Sequence, residues 1–247
     1  MPSLYLEHLT WNEAEAAFQN IPIVLVPIGA ILKEHGPHLP LNTDYLLARD
    51  LARRVAEQVD VLVCPPIPFG YYPAFVNFPG SVHLAADTFR ETVEQIILSL
   101  AKNGAQKFLI LNTGVSTTAP LTLAANNLIS QNIAVALAHI LELGRAAEEV
   151  LENKIGSHAD EHETSMLLAI DESVVHMERA VAEIQPWMLE RAKPVRKPGP
   201  LTRAPNAPGD YSASGIIGDP TRATREKGEA ILRAMADDVV SFCKTWK

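Results

Sequence analysis

The chain has 247 residues, with 21 Lys and Arg against 29 Asp and Glu, for a formal net charge of −8. That balance excludes a general nucleic-acid-binding surface, which needs clustered basic side chains, and no apolar run is long enough for a bilayer span. Two distant cysteines, Cys64 and Cys243, offer neither a disulfide framework nor a thiolate metal site, and a leader without an apolar core completes the expectation of a reduced, cytoplasmic protein.

In chain order, the apolar run Ile21–Ile28 reads as a buried strand. A helix is expected from about Asp44 to Val59, with Leu47, Leu51 and Val55 on one face and Thr43 as N-cap. Val61–Cys64 is a short strand halted by Pro65-Pro66. Residues 65–84, rich in proline, glycine and aromatics, are too long for a simple turn and form a candidate pocket wall. A helix over about 87–102 places Phe89, Val93, Ile96 and Leu100 together and stops at Asn103-Gly104. Phe108–Leu111 is a third strand, Leu121–Ser130 a helix and Ile133–Ala138 a fourth strand. Residues 186–220 read as an extended Pro/Gly-rich excursion. A last helix, about Thr221 to Trp246, aligns Ile231, Met235, Val239, Phe242 and Trp246. Strands alternating with helices favour a mostly parallel sheet covered on both faces, in a single domain spanning 1–247.

Two clusters carry chemistry. Glu34, His35, His38 and Asp44 lie in one loop after the first strand, stiffened by Pro37 and Pro40. Mixed imidazole and carboxylate donors suit Zn²⁺ or Mn²⁺, and a bridging carboxylate such as Asp44 suits a pair of ions. Taken singly, Glu34 and His38 read as solvated loop residues and Asp44 as a favourable charge at a helix start; the group is what points to a site. The second cluster, His158 to Ser165, opens a helix. An acidic first turn accounts for Asp160 and Glu161 without any site, but not for His162 and Glu163 abutting the apolar Met166–Ile170. Glu163 is the strongest ligand candidate of the second cluster.

The motifs H-G-P-H-L-P-L-N-T-D at His35–Asp44, F-P-G-S at Phe78–Ser81, H-A-x-x-x-E-T-S at His158–Ser165 and G-D-P-T-x-A-T-x-E-K-G at Gly218–Gly228 occur in that order along the chain. Together they resemble the creatininase (creatinine amidohydrolase) family. The resemblance implies a three-layer α/β/α sandwich and hydrolysis of cyclic or linear amides with divalent metal, Zn or Mn, one or two ions. It also implies a homo-oligomer, commonly a hexamer. By the same resemblance His35 and Asp44 match a ligand and the bridging carboxylate, Glu163 lies near the metals, and His158 serves proton transfer.

Three departures stand out. The family's ligand Glu, two residues before the first His, is Lys33, so Glu34 is expected to reach the ligand position through a bulge. A ligand His after the third strand is Gly114. The position three before F-P-G, often His, is Phe75. Relocation of a ligand to His38 or His162, or a one-metal site, is therefore expected.

The leading expectation is a metal-dependent amidohydrolase acting on a small-molecule amide through metal-activated water. His158 would protonate the departing nitrogen, and Glu163 would bind metal or orient water. The metal ligands would come from Glu34, His35, Asp44, His162 and Glu163. His38, Tyr72, Phe75, Asn112, Ser116 and Thr117 would meet the substrate. The competing expectation is a catalytically impaired, small-molecule binding or regulatory protein on the same scaffold, favoured by Lys33 and Gly114. A nucleotide or sugar-phosphate enzyme ranks last, because no G-x-G-x-x-G or Walker loop is present.

Overall fold

The computed structural model describes residues 5–153, 156–184 and 212–246. Helix α1 (Trp11–Asn20) opens on a capping box, in which Thr10 and Glu13 satisfy each other's backbone N–H groups. Strand β1 (Ile23–Ile28) is buried along its whole length, as its uninterrupted apolar sequence requires of a central strand. Helix α2 (Thr43–Ala56) leads to the two-residue strand β2 (Leu62–Val63). Helix α3 (Ala86–Lys102), strand β3 (Lys107–Asn112), helix α4 (Thr118–Ser130) and strand β4 (Ala134–His139) follow. Helix α5 (Glu161–Asp171) and the long helix α6 (Arg225–Thr245) complete the α-helices of the described residues.

The four strands form one sheet in the order β2-β1-β3-β4. Every pairing is parallel, with Leu25 opposite both Val63 and Leu109. Because alternate strand residues point to opposite faces, β1 feeds two cores. Ile23 and Leu25 pack with α2, α5 and α6 through Leu47, Leu51, Met166, Ile231 and Met235. Val24, Val26 and Ile28 pack with α1, α3 and α4 through Phe18, Phe89, Val93, Leu121 and Leu128. Helices on both faces of a parallel sheet make a three-layer α/β/α sandwich.

Two close approaches fix where the site will lie. A Cβ on Gly29, just past β1, would sit 2.2 Å from the Asp44 carbonyl oxygen, so glycine lets the first turn of α2 rest on the strand end. The Thr113 hydroxyl adds contacts to the carbonyls of Ile28 (2.9 Å) and Asp44 (3.0 Å). On α6, a Cβ at Gly228 would meet the Ser165 carbonyl oxygen at 1.8 Å, so α6 lies directly against the α5 backbone.

The elements differ from expectation at their ends. Thr43 is not the cap of α2 but its first residue; Asn42 takes the N-cap position without a side-chain hydrogen bond, and the Thr43 hydroxyl donates to the Pro40 carbonyl at 2.8 Å. The last helix starts at Arg225, not Thr221, because Asp219 and Pro220 set up a separate 3₁₀ turn over Pro220–Arg222 and Thr224 then caps α6 through the Lys227 N–H. Phe242 is 39% exposed and lies beside Trp246 instead of joining the core stripe. Helix α1 is an addition to the expected elements. Of the 186–220 excursion, residues 186–211 lie outside the described residues; Ile217 pairs with His158 and Gly218 with Glu183 by isolated bridges.

Candidate functional site

At the C-terminal end of β1, where open α/β sheets place their ligand sites, the chain leaves the sheet as Gly29–Asn42 and returns as α2. The N-terminus of α5 faces this loop. Asp160 caps α5, its carboxylate accepting the backbone N–H groups of His162 (3.0 Å) and Glu163 (3.1 Å). Glu163 Oε2 in turn accepts the Ala159 N–H at 2.6 Å. This folding-back turns the Glu163 carboxylate toward the loop.

The candidate ligand atoms of His35, His158 and Glu163, all three buried, lie within 4.8 Å of one another. His158 Nδ1 is 3.7 Å from Glu163 Oε2, and the two imidazole rings are 4.8 Å apart between centroids. His35 Nδ1 lies 2.9 Å from the Lys33 carbonyl. A carbonyl only accepts, so Nδ1 carries the proton and Nε2, beside Asp44 Oδ1, is the nitrogen that would face a cation, the usual arrangement behind a metal-bound imidazole. His158 Nε2 lies 2.9 Å from the Glu34 carbonyl and 3.2 Å from Glu34 Oε2, leaving Nδ1 toward Glu163.

Lys33 and Asp44 form the other half. Lys33 Nζ donates to Asp44 Oδ2 at 2.7 Å, and Asp44 Oδ1 lies 2.9 Å from His35 Nε2. Lys33 is 5% exposed and Asp44 is fully buried. The Tyr72 and Phe75 rings enclose the ammonium, with centroids 5.4 and 5.3 Å from Nζ.

Burial alone would strip these groups of charge, yet their mutual fields reverse it. For Lys33, burial pulls the pKa down, but Asp44 above all, then Glu163 and Glu34, hold it above the ordinary lysine value. Burial pushes Asp44 up, and Lys33 followed by His35 takes it well below the carboxylate range. His158 is lowered by burial and raised more by Glu34. Glu163 is raised by burial and lowered more by His158, His35 and Lys33. His38 goes the other way: burial and nearby His35 draw it down to about 4.

The other expected site residues fall into place around this centre. Glu34 is not in the trio. Its Oε1 accepts the Gly36 N–H, its Oε2 faces His158, and its backbone N–H donates to Ser81 Oγ at 3.0 Å. His162 is half-buried on the first turn of α5 and also stands outside the trio. His38, expected at the substrate, is fully buried, its Nε2 2.8 Å from Thr164 Oγ1, so it ties the loop to α5. Tyr72 and Phe75 are buried walls, Phe75 with its ring 4.3 Å from that of His158.

Asn112 and Thr117, also expected at the substrate, are consumed within their own turn. Asn112 Oδ1 accepts Thr117 Oγ1–H (2.7 Å) and the Gly114 N–H (3.2 Å), while its amide nitrogen donates to the Gly114 carbonyl (2.7 Å). Ser116 is half-buried beside them. At Gly114 a Cβ would meet Thr117 Oγ1 at 2.9 Å, so this turn is closed by hydrogen bonds where the resemblance places a ligand.

Sequence reading passed over Lys33 as a site residue, as well as Ser81, Thr113 and Thr164. Lys33 had a signal: a lone lysine between the apolar Gly29–Leu32 and a loop of metal-type donors. Thr113 had none, since threonine occurs everywhere, while Thr164 and Ser81 stood inside the E-T-S and F-P-G-S motifs without an assigned role.

The donor set fits one divalent ion: two imidazoles and one carboxylate match the three protein ligands of a catalytic Zn²⁺-type centre. Lys33 holds Asp44 Oδ2, so that oxygen is not open to a second ion bridged by Asp44.

Comparison with known proteins agrees with this architecture. The family model described as creatinine amidohydrolase matches residues 7–243. The chain is 29% identical to the creatinine amidohydrolase of Pseudomonas putida, over 96% of this chain and 95% of that protein. It is 30% identical to the mycofactocin precursor peptide peptidase of Mycolicibacterium smegmatis, over 92% of this chain and 86% of that protein. A crystal structure of creatinine amidohydrolase superposes with a TM-score of 0.81 at 27% identity, covering 98% of this chain and 97% of the other. A manganese form of creatininase gives 0.80 at the same identity, with 98% of each chain covered. With motifs, fold and near full-length similarity in agreement, the chain belongs to the creatininase family.

Proposed function

We propose that the chain is a metal-dependent amidohydrolase that cleaves a C–N bond in a small cyclic or linear amide. The observation that carries this is the buried convergence of His35, His158 and Glu163 at the end of β1. Relatives named as a creatinine amidohydrolase and as a precursor peptide peptidase support C–N hydrolysis, and the second keeps a peptide terminus among the substrates to be tried. Creatininase structures with manganese or with two zincs support the choice of Mn²⁺ or Zn²⁺.

His35, His158 and Glu163 would hold the ion, which when bound supplies Lewis acidity that polarises a carbonyl and lowers the pKa of water. The rest of the chemistry belongs to the chain. Glu34 backs His158 from the Nε2 side and keeps Nδ1 toward Glu163. That geometry supports His158 as a ligand in this reading, in place of the expected proton donor. Lys33 supplies a fixed positive charge beside the trio, of the kind that steadies developing negative charge. Phe75 and Tyr72 shield the polar cluster from water.

A second reading, a binding or regulatory protein without turnover, is favoured by the Lys33–Asp44 ion pair, which withdraws Asp44 from metal bridging. One experiment separates the two. Metal-free protein is reloaded with Zn²⁺ or Mn²⁺ and assayed on creatinine, other cyclic amides, N-formyl compounds and short peptides. Turnover abolished by chelation supports the hydrolase. Undiminished turnover by metal-free protein overturns metal dependence, and ligand binding with no turnover anywhere establishes the second reading.

A further inference from the structure

We infer that the Lys33 ammonium is a built-in replacement for a second metal ion, so that the site takes one divalent cation on His35, His158 and Glu163 and no other. The inference rests on the metal-site reading above but on no substrate.

The argument begins at Asp44. This carboxylate is the group a metal pair would share, and the oxygen it would offer a second ion is taken. Oδ2 accepts from Lys33 Nζ at 2.7 Å, while Oδ1 lies 2.9 Å from His35 Nε2, on the side of the first ion. A divalent ion coordinates carboxylate oxygen at about 2.0–2.2 Å, and paired ions sit about 3.5–4 Å apart. A second ion would have to take the volume the ammonium fills.

The ammonium is placed, not incidental. Lys33 is held at both backbone groups, its N–H on the Leu41 carbonyl at 2.9 Å and its C=O on His35 Nδ1. Aromatic rings from residues 72 and 75 close around Nζ and leave it no solvated alternative. Asp44 is equally fixed, since Gly29 and Thr113 set its backbone against β1.

The turn after β3 agrees independently: Asn112, Gly114 and Thr117 are spent on one another and send no ligand toward Asp44.

The test counts ions. Metal-free wild type, Lys33→Arg and Lys33→Glu are reloaded with excess Zn²⁺ or Mn²⁺ and examined by native mass spectrometry and elemental analysis, with Tm followed during titration. Wild type is expected to hold one equivalent, and Lys33→Arg also one. Lys33→Glu, with two carboxylates abutting, is expected to fall in Tm when metal-free and to regain it as a second equivalent binds. A wild type that holds two ions or none overturns the inference, as does a Lys33→Glu variant that stays at one. Should that variant fold only in metal-supplemented cells, the wild-type count decides alone. Ion count and turnover are separate readouts, so a one-ion protein inactive on every amide defeats the hydrolase reading and leaves this one intact.

Discussion

Glu163 Oε2 accepts the backbone N–H of Ala159 at 2.6 Å, across a residue whose φ is +48°. The carboxylate thus fastens the left-handed turn between His158 and α5 while presenting itself to two imidazoles. Glu163→Gln keeps an oxygen for that N–H but removes the charge. The variant is expected to fold, with Tm lowered by a few degrees, and to lose more than about 100-fold in Zn²⁺ affinity, beyond the loss from removing a supporting partner alone. Isothermal titration with metal checks it; unchanged affinity would remove Glu163 from the ligand set.

Asp160 holds the same turn from the other side. Asp160→Ala deletes acceptors for two N–H groups at the start of α5 and is expected to cost about 1–2 kcal/mol. Asp160→Asn retains the cap and should recover most of the loss. Denaturant titration of the pair measures both, and equal stability of the two variants would deny the cap its role.

Gly228→Ala sets two effects against each other. Alanine is favoured over glycine in a helix by about 1 kcal/mol, but the new methyl would meet the Ser165 carbonyl at 1.8 Å. Backbone cannot yield as a side chain can, so overpacking wins. A net destabilisation of about 1–3 kcal/mol is expected, together with weaker metal binding as α5 shifts. A more stable variant in denaturant melts would show that α5 and α6 are not so close.

Glu183 gives a pH prediction away from the metal residues. Burial alone would raise its pKa, but hydrogen bonds from Ser214, Ala213 and Ser212 outweigh it and lower the value to about 2. A depressed carboxylate stabilises the fold above its unfolded pKa, about 4.3, and that stability is lost as pH falls toward 2. Wild type should therefore lose more stability than Glu183→Gln between pH 4.3 and 2, while the difference between them stays constant above pH 6. Partial exposure makes the effect modest. Parallel pH–stability curves for the two proteins would refute it.

Strands β1 and β3 were readable because each is an unbroken apolar run of sheet-core length, and α2 and α3 because their apolar residues recur at helical spacing. Helix α1 escaped notice because Phe18 is its one buried residue and its packed face is otherwise carried by the small Ala14 and Ala17. At the site, His35, Asp44, His158 and Glu163 were legible from residue type and motif. Their partnership was not. That Asp44 goes to Lys33 and His38 to Thr164 depends on distances set by Gly29, Thr113 and the approach of α5, none of which is local in sequence. The Asn112–Thr117 turn misled for a related reason: polar side chains look available until their own backbone claims them.

Two of the contacts that join the loop half of the centre to its α5 half, His38 with Thr164 and His158 with Glu34, span 126 and 124 residues of chain. Such long closures come late in folding, after the sheet that brings their ends together. A cation bound by both halves finds no complete set of donors before then. Added metal should accordingly leave the refolding rate nearly untouched and slow unfolding, acting as a latch on the finished structure and not as a seed for it.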